Sequence, residues 1–456
     1  GKKTPEDSFP PRMLSWTPEE IGMERIARKG LERIAWEMER YEPVAMSVYS
    51  GRTPGLTTVT APLRLPADPL AGGELEEGVI LQGGDPFSPG AKVAPGVLGV
   101  IRGADVAVPV APEGRRKALA DWLTRADNPL AARAIANRIW QWHFGQPLAG
   151  NPNNFGTTGG RPANPELLDW LADEFRARGG SFKAMHRTIM LSAAYRRATR
   201  HPDPAGLAAA DPKGTSLAVF LPRRLTAEEM RDAMLAATGE LNLALGGIPC
   251  RPEINPEAGL QPRQVMGTFA AAWTPNPLPA ERHRRSLYVL RLRGLPDPRM
   301  EILNQPGADF SCERREESVV APQAFALFNG ADAHARALAL AARAAKDVGD
   351  EEAVRRCFRA VLGREPAAGE LADSLAHWTK IRGLLGPAKD PSSPPVSVRR
   401  DAIEENTGTP FSFDELLPAN AGFVPDLRPS RTDERARALA DLCLVLFNSN
   451  EFAYVP

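Results

Sequence analysis

Two bracketed segments constrain the chain most. Asn128-Pro129 and Gly145 enclose one, Asn164-Pro165 and Gly179 the other, and each has a capping side chain, a proline at the first helical position and a glycine just past the end. Proline presets φ where the first turn has no use for an N–H, and glycine enters the left-handed conformation that closes the last turn. The spacing predicts two successive helices packed through Ile135, Ile139, Trp142, Leu168 and Leu171. Ser181 predicts a third helix running to Arg197, and Thr226 with Glu229 a capping box for a fourth. A chain punctuated in this way at its centre is mainly α.

At 456 residues it also exceeds what one core usually serves. Residues 1–42 hold an amphipathic helix, Thr17 to Tyr41, that exposes Ile21, Met23, Ile26, Leu31, Ile34, Ala35 and Met38 and wants a surface to lie on. Residues 43–113 turn to Val, Thr, Pro and Gly and read as a small β-rich region. The main helical domain spans 114–345, with one β-like interruption at Arg284 to Arg293. Residues 346–456 supply C-terminal helices and a Pro-rich wrapping loop over 386–430. The expected fold class is thus mainly α: a multi-helix assembly with a small β-rich N-terminal region and long Pro-rich loops.

Lys+Arg and Asp+Glu are both 56, so global electrostatics call for no nucleic acid. No apolar run reaches the length of a transmembrane segment, and GKKTPEDSFPPR lacks the apolar core of a signal peptide, so a mature, soluble chain is expected. The four cysteines form no CxxC, no metal-ligand spacing and no CxxCH, so neither a metal nor any cofactor is expected. Cys443, inside LCLVLF, reads as a buried core thiol. Cys250 and Cys312, both in loops, are the pairable two.

Polar chemistry gathers in two places. In NPLAARAIANRIWQWHFG, a polar stripe of Arg133, Asn137 and Gln141 lies beside the apolar one. Either Arg133, Asn137, Arg138 and His143 hold an anionic or carbohydrate ligand with Trp140 or Trp142 as a stacking platform, or the stripe is a network that fixes helix and loop positions. In the loop from Gly294 to Ser318, Asp309, Cys312 and Arg314 are candidates, although the carboxylate spacing matches no known metal motif. Glu166 and Asp169 pass for a carboxylate pair, but Glu166 suits a helix N-terminus in any case. His186 and Met190 on one helix cannot ligate opposite faces of a haem, and His186 reads as a satisfied core histidine.

Several phrases together resemble a known family. RKALADWLTRADNPLAARAIANRIWQWHFGQPL, NNFGTTGGRPANPELLDWLADEF, SFKAMHRTIMLSAAYRR, PRRLTAEEMRDAML, RRSLYVLRLRG, DFSCERREES with PQAFALFN, and LFNSNEFAYV are similar, in order, to the C-terminal region of planctomycete-type secreted cytochrome-c-domain proteins, domain of unknown function 1553. The resemblance implies secretion and a cytochrome c module upstream. This chain lacks CxxCH, so it is a processed or partial product, or its redox module lies on another chain. The family offers no catalytic residues to carry over. Three functions are therefore expected to compete: a non-catalytic scaffold subunit of an extracytoplasmic, redox-linked complex, partnered by other protein subunits; a polysaccharide-binding or polysaccharide-degrading enzyme; and a haem-free docking partner of a cytochrome c.

Overall fold

The structure is a computed structural model that describes residues 16–38, 78–101, 106–111, 113–259, 273–403 and 408–455. The described elements are, in chain order, α1 (Pro18–Met38), β1 (Val79–Leu81), β2 (Pro89–Lys92), α2 (Arg115–Thr124), α3 (Pro129–Phe144), α4 (Pro165–Ala177), α5 (Phe182–Met190), α6 (Pro204–Ala210), β3 (Arg223–Arg224), α7 (Ala227–Thr238) and α8 (Pro256–Gly259). There follow α9 (Pro279–Arg282), α10 (Pro298–Ile302), α11 (Ala321–Asn329), α12 (Ala331–Ala345), α13 (Asp350–Leu362), α14 (Ala368–Leu384), β4 (Ser397–Ile403), β5 (Pro410–Leu416), α15 (Glu434–Phe447), α16 (Asn450–Ala453) and β6 (Tyr454–Val455). The fold is mainly α with a small β content, as the capping pattern implied. Two compact units divide it, one Pro43–Arg223 and the other Gly1–Glu42 joined to Arg224–Val455. The boundary runs through the stretch 114–345 that reads from sequence as one helical domain.

In the unit Pro43–Arg223 the caps fall where the sequence puts them. Asn128 accepts from Leu130 N–H, Asn164 from Leu167 N–H, and Gly145 and Gly179 take φ of 72° and 65°. Ser181 caps α5, which stops at Met190 instead of reaching Arg197. The core comprises Ala132, Ala136, Ile139, Trp140 and Phe144 of α3, Leu168, Leu171 and Phe175 of α4, and Met185 and Ile189 of α5. Trp142 is not part of it. Its side chain is 57% exposed, and Trp140, one residue-step of about 100° twice removed around the helix, fills the core and stacks on Phe144 with ring centroids 4.1 Å apart. The described part of the expected β-rich region is one antiparallel pair, β1 with β2; residues 43–77 lie outside the described residues.

The larger unit is built on α12 and α15, which pack on each other with α7, α13 and α14 around them. Small side chains make this possible: Ala333, Ala337, Ala341 and Ala344 form a stripe on α12, and Ala438, Leu439, Leu442 and Cys443 face it from α15. Thr226 and Glu229 form the expected capping box on α7. The β-like stretch Arg284 to Arg293 is no strand. It makes isolated bridges, Asn242 with Arg284 and Cys250 with Val289, around one turn of 3₁₀ helix.

The Pro-rich stretch 386–430 carries structure of its own. β4 and β5 pair antiparallel from Ser397 opposite Leu416 to Ile403 opposite Pro410. Burial alternates along β4, with Arg400 and Ala402 turned in and Arg399 and Asp401 out. Nor does α1 lie bare. It packs on β5, where Gly22 is buried so close to Phe411 that a Cβ added there would stand 2.3 Å from the ring. Met23, Leu31 and Met38 of α1 remain exposed; the side chains of Ile26 and Ile34 lie outside the described residues.

The two tryptophans of α3 should therefore separate cleanly. Trp140→Ala is expected to destabilise by about 3–5 kcal/mol in chemical denaturation, whereas Trp142→Ala should stay within about 0.5 kcal/mol of the parent. Equal losses from both would contradict the assigned helix rotation.

Candidate functional site

The nominated polar residues of α3 are spent on architecture. Asn137 is fully buried: its amide donates to Ala149 O at 3.1 Å and its carbonyl accepts from Ala149 N–H at 2.9 Å, pinning the chain that leaves the helix. Arg133 Nε donates to Asp169 Oδ1 at 2.5 Å, which also removes Asp169 from any pairing with Glu166. The Arg138 guanidinium donates to the Asn153 side chain. Trp140, in the core, offers no stacking face to a ligand. His143 Nε2 lies 2.8 Å from His186 Nδ1, sharing one N–H, and meets Tyr195 edge-on with centroids 5.5 Å apart. Burial, and then the electrostatic influence of His186, hold His143 below the ordinary imidazole range.

Asp309, Cys312 and Arg314 belong to the other unit, and all three are exposed in the loop between α10 and α11. Asp309 stands at the wall of a cavity of about 140 Å³, together with Glu228, Ser286, Asp297, Glu301 and Gln305. That volume falls short of the ~300 Å³ at which ligand pockets usually begin. Arg315, not Arg314, makes the ion pair here, its guanidinium donating to both Glu228 oxygens at 2.6 and 3.1 Å. Burial raises the Glu228 carboxyl, but the Arg315 and Gln305 hydrogen bonds outweigh it and keep the group below its ordinary value.

The densest electrostatics lie elsewhere in this unit, on residues that sequence reading passed over. Asp426 Oδ1 accepts from Arg282 Nη2 at 2.6 Å, and Oδ2 accepts from His283 Nε2 at 3.0 Å and from Arg336. Arg336, 1% exposed, turns its other terminal nitrogen to Glu240. Arg282, 2% exposed, also donates to Asn276 O, Pro277 O and Val424 O and lies 4.4 Å over the Phe423 ring. Alongside, Arg231 donates to Ser286 Oγ and to the carbonyls of Arg282 and Arg284, while Asp232 accepts from Ser286. The result joins α7, α12, the segment around α9 and the chain at 423–426. One signal for it stands in the sequence: Arg231 and Arg336 sit on the apolar stripes of their helices, where an unpaired charge has no place. Asp426, in the loop PDLRP, gives none.

Chemically this hub binds cations to carboxylates inside one chain. It presents no hydroxyl, thiol or amine to a base, and Ser286 is committed both to Asp232 and to Arg231. Among the described residues no group of three or more His, Cys, Asp and Glu is arranged to hold a metal ion, and no helix is long and apolar enough to cross a membrane. Cys250 is buried and Cys312 exposed, and no bond joins these two loop cysteines that the sequence marks as pairable.

The family model described as PSD1, protein of unknown function (DUF1553), matches residues 115–378, from the first residue of α2 to the buried Trp378 of α14. No curated protein and no solved structure matches the chain.

Burial by itself would raise the Asp426 carboxyl; the His283 hydrogen bond and the charge of Arg336 overcome this and hold it well below its ordinary 3.8. A depressed folded value means that its contribution is complete above pH of about 3.8 and is lost as pH falls from there toward the folded value. Asp426→Asn should cost about 3–5 kcal/mol at neutral pH, because it removes the carboxylate that two buried guanidiniums share and leaves Arg336 with Glu240 and Arg282 with Glu253 alone, and should flatten the acid limb of the stability curve. Urea unfolding across pH measures both effects.

Proposed function

The chain belongs to the PSD1 family of proteins of unknown function (DUF1553), and from that premise we propose that it is a non-catalytic, protein-binding subunit of an extracytoplasmic, redox-linked assembly. One contrast carries the reading. On α3 and α4 the polar groups nominated for a ligand are committed within the chain, whereas Trp142 and Trp170 of the same helices stand 57% and 52% exposed. An exposed indole in a freely soluble monomer is an unused contact; tryptophan is enriched among the side chains that dominate protein association. Phe310, Val319 and Phe325 in the other unit are 88%, 77% and 64% exposed and support the same reading. The extracytoplasmic setting and a c-type cytochrome module as partner class rest on the family resemblance.

Carbohydrate binding is the second reading, favoured by the same indoles, since sugar rings stack on exposed aromatic faces. The two differ in what Trp142 touches.

Native mass measurement and crosslinking of protein purified from its source should give a complex heavier than one chain, with crosslinks near α3 and α4. The double variant Trp142→Ser, Trp170→Ser should fold like the parent and weaken that association at least about tenfold. A monodisperse monomer that turns over a defined glycan, with turnover lost on Asp309→Asn or Glu166→Gln, would defeat the proposal.

A further inference from the structure

The core of the larger unit contains two thiols that no other part of the architecture uses. Cys357 of α13 and Cys443 of α15 are both 0% exposed, and their sulfurs lie 3.5 Å apart among Val354, Phe358, Leu439 and Phe447. We propose that Cys357 and Cys443 are joined by a disulfide in the working protein, a staple between α13 and α15.

The geometry asks little of the chain. A disulfide needs its sulfurs at about 2.05 Å, so closure requires a combined approach of about 1.5 Å, within reach of small χ1 rotations. Both helices are anchored at either end of these positions by buried neighbours, which hold the pair in place throughout. The choice of partners is also settled. Cys250 is buried and Cys312 is exposed on a loop, and the sulfurs in close approach are those of Cys357 and Cys443.

The reaction consumes one oxidant of the disulfide class, an oxidised thiol oxidoreductase or oxidised glutathione. One cysteine thiolate attacks that disulfide, releasing a thiol and leaving a mixed disulfide; the second thiolate then displaces the carrier, forming the Cys357–Cys443 bond and a second thiol. Two electrons and two protons pass to the oxidant. Burial pushes the Cys443 thiol well above its ordinary range, and both sulfurs, fully buried, have no path to an oxidant in the folded chain. The bond must therefore form during folding, before α13 and α15 dock. Once made, it closes a loop between positions 86 apart in sequence that contains α14, the β4–β5 hairpin and Asp426. The inference does not depend on the scaffold reading, since it concerns this chain alone, and failure of either leaves the other standing.

Refolding the full-length chain from denaturant in a glutathione redox buffer tests it. Alkylation under denaturing conditions without reductant should then label only Cys250 and Cys312 of the four cysteines, and peptide mapping should find Cys357 linked to Cys443. The oxidised protein should melt on the order of 10 °C above the reduced protein. Cys443→Ser should leave Cys357 open to alkylation and abolish the redox dependence of melting. Should that variant not fold, the wild-type map decides alone. Four alkylated cysteines after refolding, or a disulfide made by Cys312 while Cys357 and Cys443 stay reduced, would overturn the proposal.

Discussion

One carboxylate serves two guanidiniums and an imidazole, and the larger unit is arranged around it. Asp426 takes Arg282, His283 and Arg336 together, and Arg336 carries the connection on to Glu240. Each guanidinium is nearly sealed from water, where a lone charge would cost several kcal/mol. The members thus support one another: with the loop at 423–426 against α12, Asp426 adds a second carboxylate to Arg336, which also holds Glu240, and to Arg282, which lies 3.4 Å from Glu253. Hydrophobic packing of α12 on α15 provides cohesion, but its alanine stripe is smooth and says little about where a proline-rich connection should run. The charge hub supplies position. It draws Asp426 from beyond the residue range that defines the family, so the loop completes a site whose cations lie within that range.

Local physics was legible and rotation was not. The caps of α3, α4 and α7 are set by side-chain–backbone bonds within three residues, so a short window of sequence contains them whole. On α3 the spacing of Ile135, Ile139 and Trp142 places the first two correctly, Ile139 in the core and Ile135 packed against it, but the stripe continues through Ala132, Ala136, Trp140 and Phe144 and not through Trp142. Alanines bury as readily as isoleucines and mark the close side of a helix. The β4–β5 hairpin was hidden by the prolines around it and by arginines at inward positions, where Arg400 reaches Glu415 at 3.0 Å. Asp426 and the facing cysteines depend on partners scores of residues away, which no local pattern encodes.

The candidate residues fared according to what surrounds them. Asn137 looked like a ligand group because it is polar on a conspicuous helix, and it proved to be holding the backbone of Ala149 with both ends of its amide. Asp309 and Arg314, read from a charged loop, remain in solvent. A polar residue on a well-packed helix tends to be recruited to satisfy the chain it emerges against, and the more tightly the helix is buried the fewer such groups are left for anything else.

The close approach of Gly22 to Phe411 brings together the two ends of the larger unit across almost the whole sequence. During synthesis α1 leaves the ribosome before β5, its partner in the finished structure, which follows only after about 390 further residues. At roughly 5–20 residues per second, α1 spends on the order of 20–80 s without the surface it finally covers. Throughout that interval the face around Gly22 stands uncovered on a nascent chain whose other unit can already be folding. The helix therefore completes the larger unit late, since its docking waits on the synthesis of β5.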